Sequence, residues 1–221
     1  MDFGVFDILG PVMIGPSSSH TAGAARLGKI AAQIAGGSFH RVEFLLYGSF
    51  AKTYRGHGTD KALVAGVLGM DPDDENLRES LSVAEKNGLQ FEFVEGGAED
   101  VHPNTVKFTF YKDNGIQVTV TGSSIGGGNI SIVEIDGEPV EFSGQYPTII
   151  IGHWDRKGMI SSISSVFSEA QINIATMKVN RSSKGEAAFM IIETDSNISD
   201  EIINKLKNID EVIKVRAIQP V

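Results

Sequence analysis

The sequence predicts an α+β protein of two units: an N-terminal α/β unit on a mixed sheet, and a C-terminal unit of ferredoxin-like β-α-β-β-α-β plan. Three observations carry that prediction. Apolar residues recur at helical spacing through most of residues 20–87, interrupted by one strand-like run. After Gly88 the pattern turns to alternation and stays strand-like to about Ile135. Beyond a Gly144–Pro147 break lie roughly 75 residues, enough for a small independent domain, which run strand–helix–strand twice over. The expected domains are therefore 1–146 and 147–221.

The elements are justified in order. Residues 1–14 carry Phe3, Val5, Phe6, Ile8, Leu9, Val12 and Ile14 and read as an ordered arm that packs on its own domain or on a partner. A helix from His20 to about Ala35 places Ala24, Leu27, Ile30, Ala31 and Ile34 on one stripe, with Ser17, Ser18 or Ser19 as its N-cap and Gly36-Gly37 as its stop. Arg41–Tyr47 is a strand. Residues 50–69 are helical but broken at Gly56-His57-Gly58, because each glycine costs roughly 1 kcal/mol in a helix interior; Thr59 or Asp60 caps the second helical segment. Asp71–Asp74 is a turn and Leu77–Asn87 an amphipathic helix. Leu89–Val94, Thr105–Lys112, Ile116–Thr121 and Asn129–Ile135 are strands, with a hairpin turn at Asn114-Gly115. Gly122–Gly128 reads as a glycine-rich connection whose backbone approaches a ligand, and Asp136-Gly137 with Glu138-Pro139 as a turn. In the C-terminal unit the strands are Thr148–His153, Ile172–Val179, Glu186–Thr194 and Val212–Ile218, with a Ser182–Gly185 turn. Its helices are Met159–Ala170 and one capped by Ser199, where Asp200 and Glu201 complement the dipole.

Composition narrows the function. A net charge of −9 argues against nucleic acid or an anionic membrane as partner, since phosphate recognition needs a basic face. No apolar run is long enough to span a bilayer, and the start lacks a secretory signal, so a cytoplasmic protein is expected. There is no cysteine, hence no disulfide and no thiolate metal ligand, and no residue is assigned to a metal.

One stretch concentrates chemistry: Gly15-Pro16-Ser17-Ser18-Ser19-His20-Thr21-Ala22-Gly23. Three hydroxyls and an imidazole stand in a row at a helix start, where free N–H groups suit a carboxylate or another anionic oxygen. Plain capping needs one serine, not three. His57 stands between two glycines that leave its ring unshielded, and Asp60 is placed to orient it. The bland alternative is a helix-break histidine with no role. Ser123-Ser124 with Gly126–Gly128 reads as an anion-cradling loop or, just as simply, as a connector. His102 sits in a polar turn and His40 at a strand entrance.

Taken together, Gly15–Thr21, Tyr47-Gly48-Ser49, Gly56-His57-Gly58-Thr59-Asp60 and Gly122–Gly128, in that order, resemble the β chain of bacterial iron–sulfur L-serine dehydratase. The C-terminal unit resembles an ACT domain, an amino-acid-binding regulatory module, through its element order, His153–Ile160 in the first strand–helix turn and Gln171–Ala175 at the second strand. The two resemblances cover almost the whole chain. They imply a lyase that converts L-serine to pyruvate and ammonia with a [4Fe-4S] cluster. They also imply that cysteines of an α chain hold that cluster, and that this chain is inactive alone. His57 is then the leading candidate for the base that takes the Cα proton, because imidazole works near neutral pH. His20, the second catalytic candidate, has a different expected task with the serine row, binding a carboxylate or a cluster-bound oxygen, and its stretch is expected to share one site with His57 and the Ser123–Gly128 loop. Ser17, Ser18, Ser19, Thr21, Ser123, Ser124, Gly126 and Gly127 are candidates for holding substrate. His153, Asp155, Gly158, Met159 and Asn173 are candidates for an effector site, with pairing of ACT units side by side as an option. The competing expectation is a non-catalytic amino-acid sensor acting through the ACT unit.

Overall fold

The structure, a computed structural model, describes residues 11–97, 100–181 and 183–221. Phe3, Val5, Phe6, Ile8 and Leu9 of the predicted arm, and Ser182 of the predicted turn, lie outside the described residues. The chain divides into two compact units, one running to Ser143 together with Val221, the other Gly144–Pro220.

The first unit holds a six-stranded sheet. Its strands are β1 (Phe39–Leu46), β2 (Gln90–Glu95), β3 (Thr105–Lys112), β4 (Gln117–Gly126), β5 (Asn129–Ile135) and β6 (Glu138–Phe142), in the order β2-β1-β3-β4-β5-β6. β1 and β2 run parallel and every other pair antiparallel, so the sheet is mixed. Register follows the apolar pattern. Val42, Phe44 and Leu46 lie across from Phe110, Phe108 and Val106, which lie across from Val118, Val120 and Gly122. The side chains of this face are buried. The opposite face carries polar pairs such as Lys107 with Glu134 at 3.3 Å and Arg41 with Glu92 at 2.9 Å.

Ser18–Ala22 forms a π-helical turn that runs into α1 (Gly23–Ala35). Then come α2 (Gly48–His57), α3 (Thr59–Val67), a 3₁₀ turn (Glu75–Glu79) and α4 (Ser80–Lys86). Helices α1 and α3 meet backbone to backbone. A Cβ on Gly66 would land on the carbonyl oxygen of Ala25, and one on Gly28 on that of Leu63. This contact fixes the first turns of α1 against the second half of α3. Lys112 donates to the carbonyls of Ala35 and Gly36 at 3.1 and 2.5 Å, satisfying the far end of α1 where a cation also suits the dipole.

The second unit is a four-stranded antiparallel sheet of order β10-β7-β9-β8. Its strands are β7 (Thr148–Trp154), β8 (Ile174–Arg181), β9 (Ala187–Thr194) and β10 (Val212–Ile218), joined through α5 (Met159–Glu169) and α6 (Asp200–Lys207). This is the ferredoxin-like plan. Ile149, Ile151, Ile163, Phe167, Met190, Ile192 and Leu206 form its core, and Ser199 caps α6 by accepting the Ile202 N–H at 3.5 Å.

Four expectations change. Glu138-Pro139 begins β6 rather than completing a turn; β6 is an edge strand, where a proline without an N–H is tolerated. Gly122–Gly126 belongs to β4, and only Gly127-Gly128 turns the chain into β5. The break after His57 is made by Gly58 at φ 68°; Gly58 itself stands at the N-cap of α3, and the Asp60 carboxylate accepts the first-turn Lys61 N–H at 2.8 Å. The helix expected over Leu77–Asn87 divides into the 3₁₀ turn and α4, with the Asp74 carboxylate accepting the Asn76 N–H at 2.8 Å at its start.

Candidate functional site

Topology brings several polar segments to one end of the six-stranded sheet. Leu46 at the end of β1 pairs with Val106, and Thr105 at the start of β3 pairs with Ser123 near the end of β4. The α2 helix starts from the same edge, tied by N–H groups of Ser49 and Phe50 that donate to the Pro103 carbonyl at 2.6 and 3.3 Å. The helix start at Ser17–Ala22 packs onto this edge: a Cβ on Gly23 would fall on the Ser124 hydroxyl.

Within this cluster His20 is the hub. The Ser17 hydroxyl accepts the His20 backbone N–H at 3.1 Å, which makes Ser17 the N-cap among the three serines. The His20 Nε2 lies 3.1 Å from the Ser49 hydroxyl, and Nδ1 lies 3.5 Å from the Ser17 hydroxyl. Its ring meets Phe50 edge-on at 5.3 Å and His57 edge-on at 4.9 Å between centroids. Burial, and after it the charge of His57, pushes the His20 imidazole below its ordinary value.

That direction makes stability depend on pH. A histidine whose folded value is depressed contributes stability that is complete above its unfolded value of about 6.5 and is lost as pH falls below it toward the folded value. Thermal melting should therefore lose more between about pH 7.5 and pH 5 in the native chain than in His20→Gln. Equal losses in the two would remove His20 from this role.

The expected partners of His20 are only partly as predicted. His57 is exposed at the end of α2 and keeps its ring contact with His20. Asp60 does not orient it. The Asp60 carboxylate instead accepts the Lys61 N–H at 2.8 Å, and burial raises its proton affinity. Gly58 turns the chain between the two residues and starts a new helix. The hydroxyls of Ser18 and Ser19 make no hydrogen bond within the described residues. Thr21 and Ser124 are almost fully buried, and neither hydroxyl has a partner among the described residues. An unpaired buried hydroxyl costs about 1–3 kcal/mol, which sets these two apart from the paired hydroxyls around them. Ser123 is different: its hydroxyl shares a 2.7 Å bond with Thr105, so it supports the strand end. The backbone of Ser123, Ser124 and Gly126 pairs within the sheet instead of cradling an anion, and the Ser124 N–H donates to the Asn104 carbonyl at 3.0 Å.

Two residues at this edge escape a local reading. Ser49 reaches His20 across the fold, and only its place in the strand-to-helix motif Tyr47-Gly48-Ser49 signals it. Asn104 donates to the Ser124 carbonyl at 3.5 Å while its own Oδ1 is buried and has no partner among the described residues. His102 accepts the Asn104 N–H at 3.2 Å, and His40 pairs with Asp113 at 3.1 Å far along β1.

In the C-terminal unit, His153, Asp155, Gly158 and Met159 line a cavity of about 670 Å³ at the β7–α5 turn. The His153 Nδ1 donates to the Trp154 carbonyl at 2.9 Å, which leaves Nε2 as an acceptor, buried and without a partner among the described residues. The Gly185 N–H, then the Arg181 guanidinium, holds the Asp155 carboxylate below the usual range. Asn173 is not brought to this cavity within one chain. Val179 of β8 lines it, whereas Asn173 precedes the far end of β8 and donates to Asp195 at 2.6 Å.

As for a cluster, the chain offers oxygen and imidazole groups but no cysteine. Among the described residues no three His, Asp or Glu side chains gather as a metal site. These residues therefore do not fit the holding of an iron–sulfur cluster, which binds through thiolates. No helix of the described residues is long and apolar enough to cross a membrane.

Known proteins resemble the chain along its whole length. The family model for the serine dehydratase beta chain matches residues 4–134, and that for the ACT domain matches residues 148–211. A probable L-serine dehydratase beta chain of Bacillus subtilis is 45% identical over 214 residues, covering 97% of each chain. The L-serine dehydratase beta chain of Peptoniphilus asaccharolyticus is 37% identical over 219 residues, covering 99% of each. L-serine dehydratase 1 of Escherichia coli is 32% identical over 171 residues, which are 65% of this chain and 37% of that one.

Proposed function

Because the chain belongs to the serine dehydratase β-chain family, we propose that it is the β subunit of a [4Fe-4S]-dependent L-serine ammonia-lyase. It forms pyruvate and ammonia together with an α chain whose cysteines carry the cluster. The observation that carries this reading is the edge-to-face pair of His20 and His57, 4.9 Å between centroids, beside the serine row of a helix start. The lack of cysteine supports a cluster held by a partner. So does the Escherichia coli relative, of which this chain matches only 37%.

The work of this chain is to hold substrate and move a proton. The substrate carboxylate docks at the helix start, where the first backbone N–H groups lack intrahelical partners and the Ser18 and Ser19 hydroxyls are unengaged among the described residues. The buried hydroxyl of Ser124 is a further donor at that edge. His57, exposed and free of hydrogen bonds among the described residues, takes the Cα proton on a ring nitrogen. His20, kept neutral by burial and by its neighbour, leaves room for one added proton in the pair. Ser49 holds the His20 ring by Nε2 and acts as a positioning residue. The cluster, when present in the partner, supplies a Lewis acid for the serine hydroxyl. Loss of that hydroxyl and of the Cα proton leaves aminoacrylate, which hydrolyses to pyruvate and ammonia.

The test is product analysis on the anaerobically purified α/β complex. Equal amounts of pyruvate and ammonia from L-serine are expected, and binding of L-serine without turnover would reject the reading.

A second activity rests on the His153 Nε2 beside the C-terminal cavity, which has no partner among the described residues. We read it as an effector site for an amino acid. Asn173 enters such a site across a pair of chains, and β8 is an edge strand with a side open to that pairing. Calorimetry with amino acids on the full chain, native against His153→Ala, checks this; heat unchanged by the substitution would reject it.

A further inference from the structure

A cavity of about 380 Å³ lies on a side of His57 that His20 does not line. Its wall includes Thr21 and three cations from three different elements: Arg55 of α2, Lys61 of α3 and Arg78 of the 3₁₀ turn. None of the three cations forms an ion pair with a carboxylate among the described residues. The Asp60 carboxylate feels the charge of Lys61 and Arg55 without bridging to either side chain. In a chain of net charge −9, three unbridged cations around one cavity require a reason. Local structure explains only one of them. Arg55 in the last turn of α2 suits the helix dipole, and the Tyr54 ring lies under its guanidinium at 5.3 Å. Lys61 stands in the first turn of α3, where a cation opposes the dipole. The Arg78 guanidinium makes no ion pair among the described residues. The second, independent observation is Thr21: it is 1% exposed, it lines the cavity, and its hydroxyl has no hydrogen-bond partner among the described residues.

From the three cations converging on one cavity with an unpaired buried hydroxyl in its wall, we infer that this cavity binds a small multivalent organic anion, a di- or tricarboxylate or a phosphorylated acid. Charge selects against the zwitterionic substrate here. An amino acid brings an ammonium beside its single carboxylate, and the cavity wall offers that ammonium three like charges. A di- or trianion meets two or three charge-assisted bonds, which are about twice as strong as neutral ones. The cavity volume suits an acid of a few carbons with its shell of contacts. Occupied, it places a negative charge against His57, so it controls the proposed base from outside the substrate's own position. This last consequence rests on the dehydratase reading; the binding does not.

The experiment is a titration of the full isolated chain with citrate at constant ionic strength, followed by amide NMR. Saturable shifts at Gly56, His57, Gly58 and Lys61 are expected. The double variant Arg55→Gln/Arg78→Gln should weaken citrate binding by about tenfold or more, with unchanged thermal melting. Inorganic phosphate in place of citrate should shift the same amides if phosphorylated acids are also accepted, and shift nothing if carboxylates alone are taken. Absent citrate shifts, shifts that survive the double substitution, or equal affinity for L-serine at the same amides would overturn the inference. The titration needs no α chain and no turnover, so its failure leaves the dehydratase reading standing, and failure of that reading leaves it standing.

Discussion

Replacing His57 by alanine should lower kcat for pyruvate formation by the α/β complex by about 10²–10⁴-fold, the range that a positioned general base contributes. The substitution removes an exposed side chain at a helix end that makes a ring contact with His20 and no hydrogen bond among the described residues. Folding and assembly with the α chain should therefore be unchanged. With assembly intact, the loss belongs to chemistry and not to structure. The same variant should show an enlarged primary isotope effect with Cα-deuterated L-serine, because proton removal then limits the rate. Near-native turnover by the assembled variant would move the base to another residue, on this chain or its partner.

The largest stability effect is expected at Gly66. Its missing Cβ allows α3 to rest on the backbone of α1, where the carbonyl of Ala25 occupies the place a side chain would need. Gly66→Ala forces two helices apart instead of pushing aside a flexible side chain. Overpacking of this kind costs about 3 kcal/mol, which lowers the melting midpoint by roughly 10 °C in a chain of this size. Gly97→Ala, where an added Cβ meets nothing, serves as the control and should stay within about 0.5 kcal/mol. The effect should also reach the site, because the α1–α3 contact sets where His20 stands against His57. Equal melting of Gly66→Ala and Gly97→Ala would show that the helices do not pack this way.

Much of the fold is legible in local sequence, for reasons that particular residues make plain. Asn114-Gly115 marks the β3–β4 hairpin because few residues accept the positive φ that Gly115 adopts at 80°. Gly56-His57-Gly58 marks a helix break, and the break lies at Gly58. Ser199 and the serine row mark helix starts, and the fold selects Ser17 from the row. Local sequence misleads where tertiary pairing overrides propensity. Gly122, Ser123 and Ser124 have little intrinsic strand preference, yet β3 and β5 on either side hold them in the ladder. Pro139 reads as a turn residue in any local window, and only its place on the edge of the sheet lets it belong to β6.

The candidate site is legible as a set of motifs but not as a geometry. His20 and His57 are visible as unusual neighbours of glycine and serine, while their mutual contact depends on the packing of α1 on α3. Ser49, Asn104 and Arg78 come to their places from distant segments, so no local spacing announces them. Asp60 illustrates the opposite error. Sequence proximity to His57 suggests a partner, but a left-handed glycine between them turns its carboxylate to the chain's own N–H.

If this chain supplies the substrate-holding and proton-moving half of a dehydratase whose cluster sits elsewhere, neither half should work without the other. Complementation tests that dependence. The purified chain, a cysteine-bearing α chain and their mixture are each assayed anaerobically for pyruvate from L-serine. No activity is expected from either chain alone. Activity in the mixture should rise with added β chain and saturate at a fixed subunit ratio. Full activity from the α chain alone, or from this chain alone, would refute the division of labour between them.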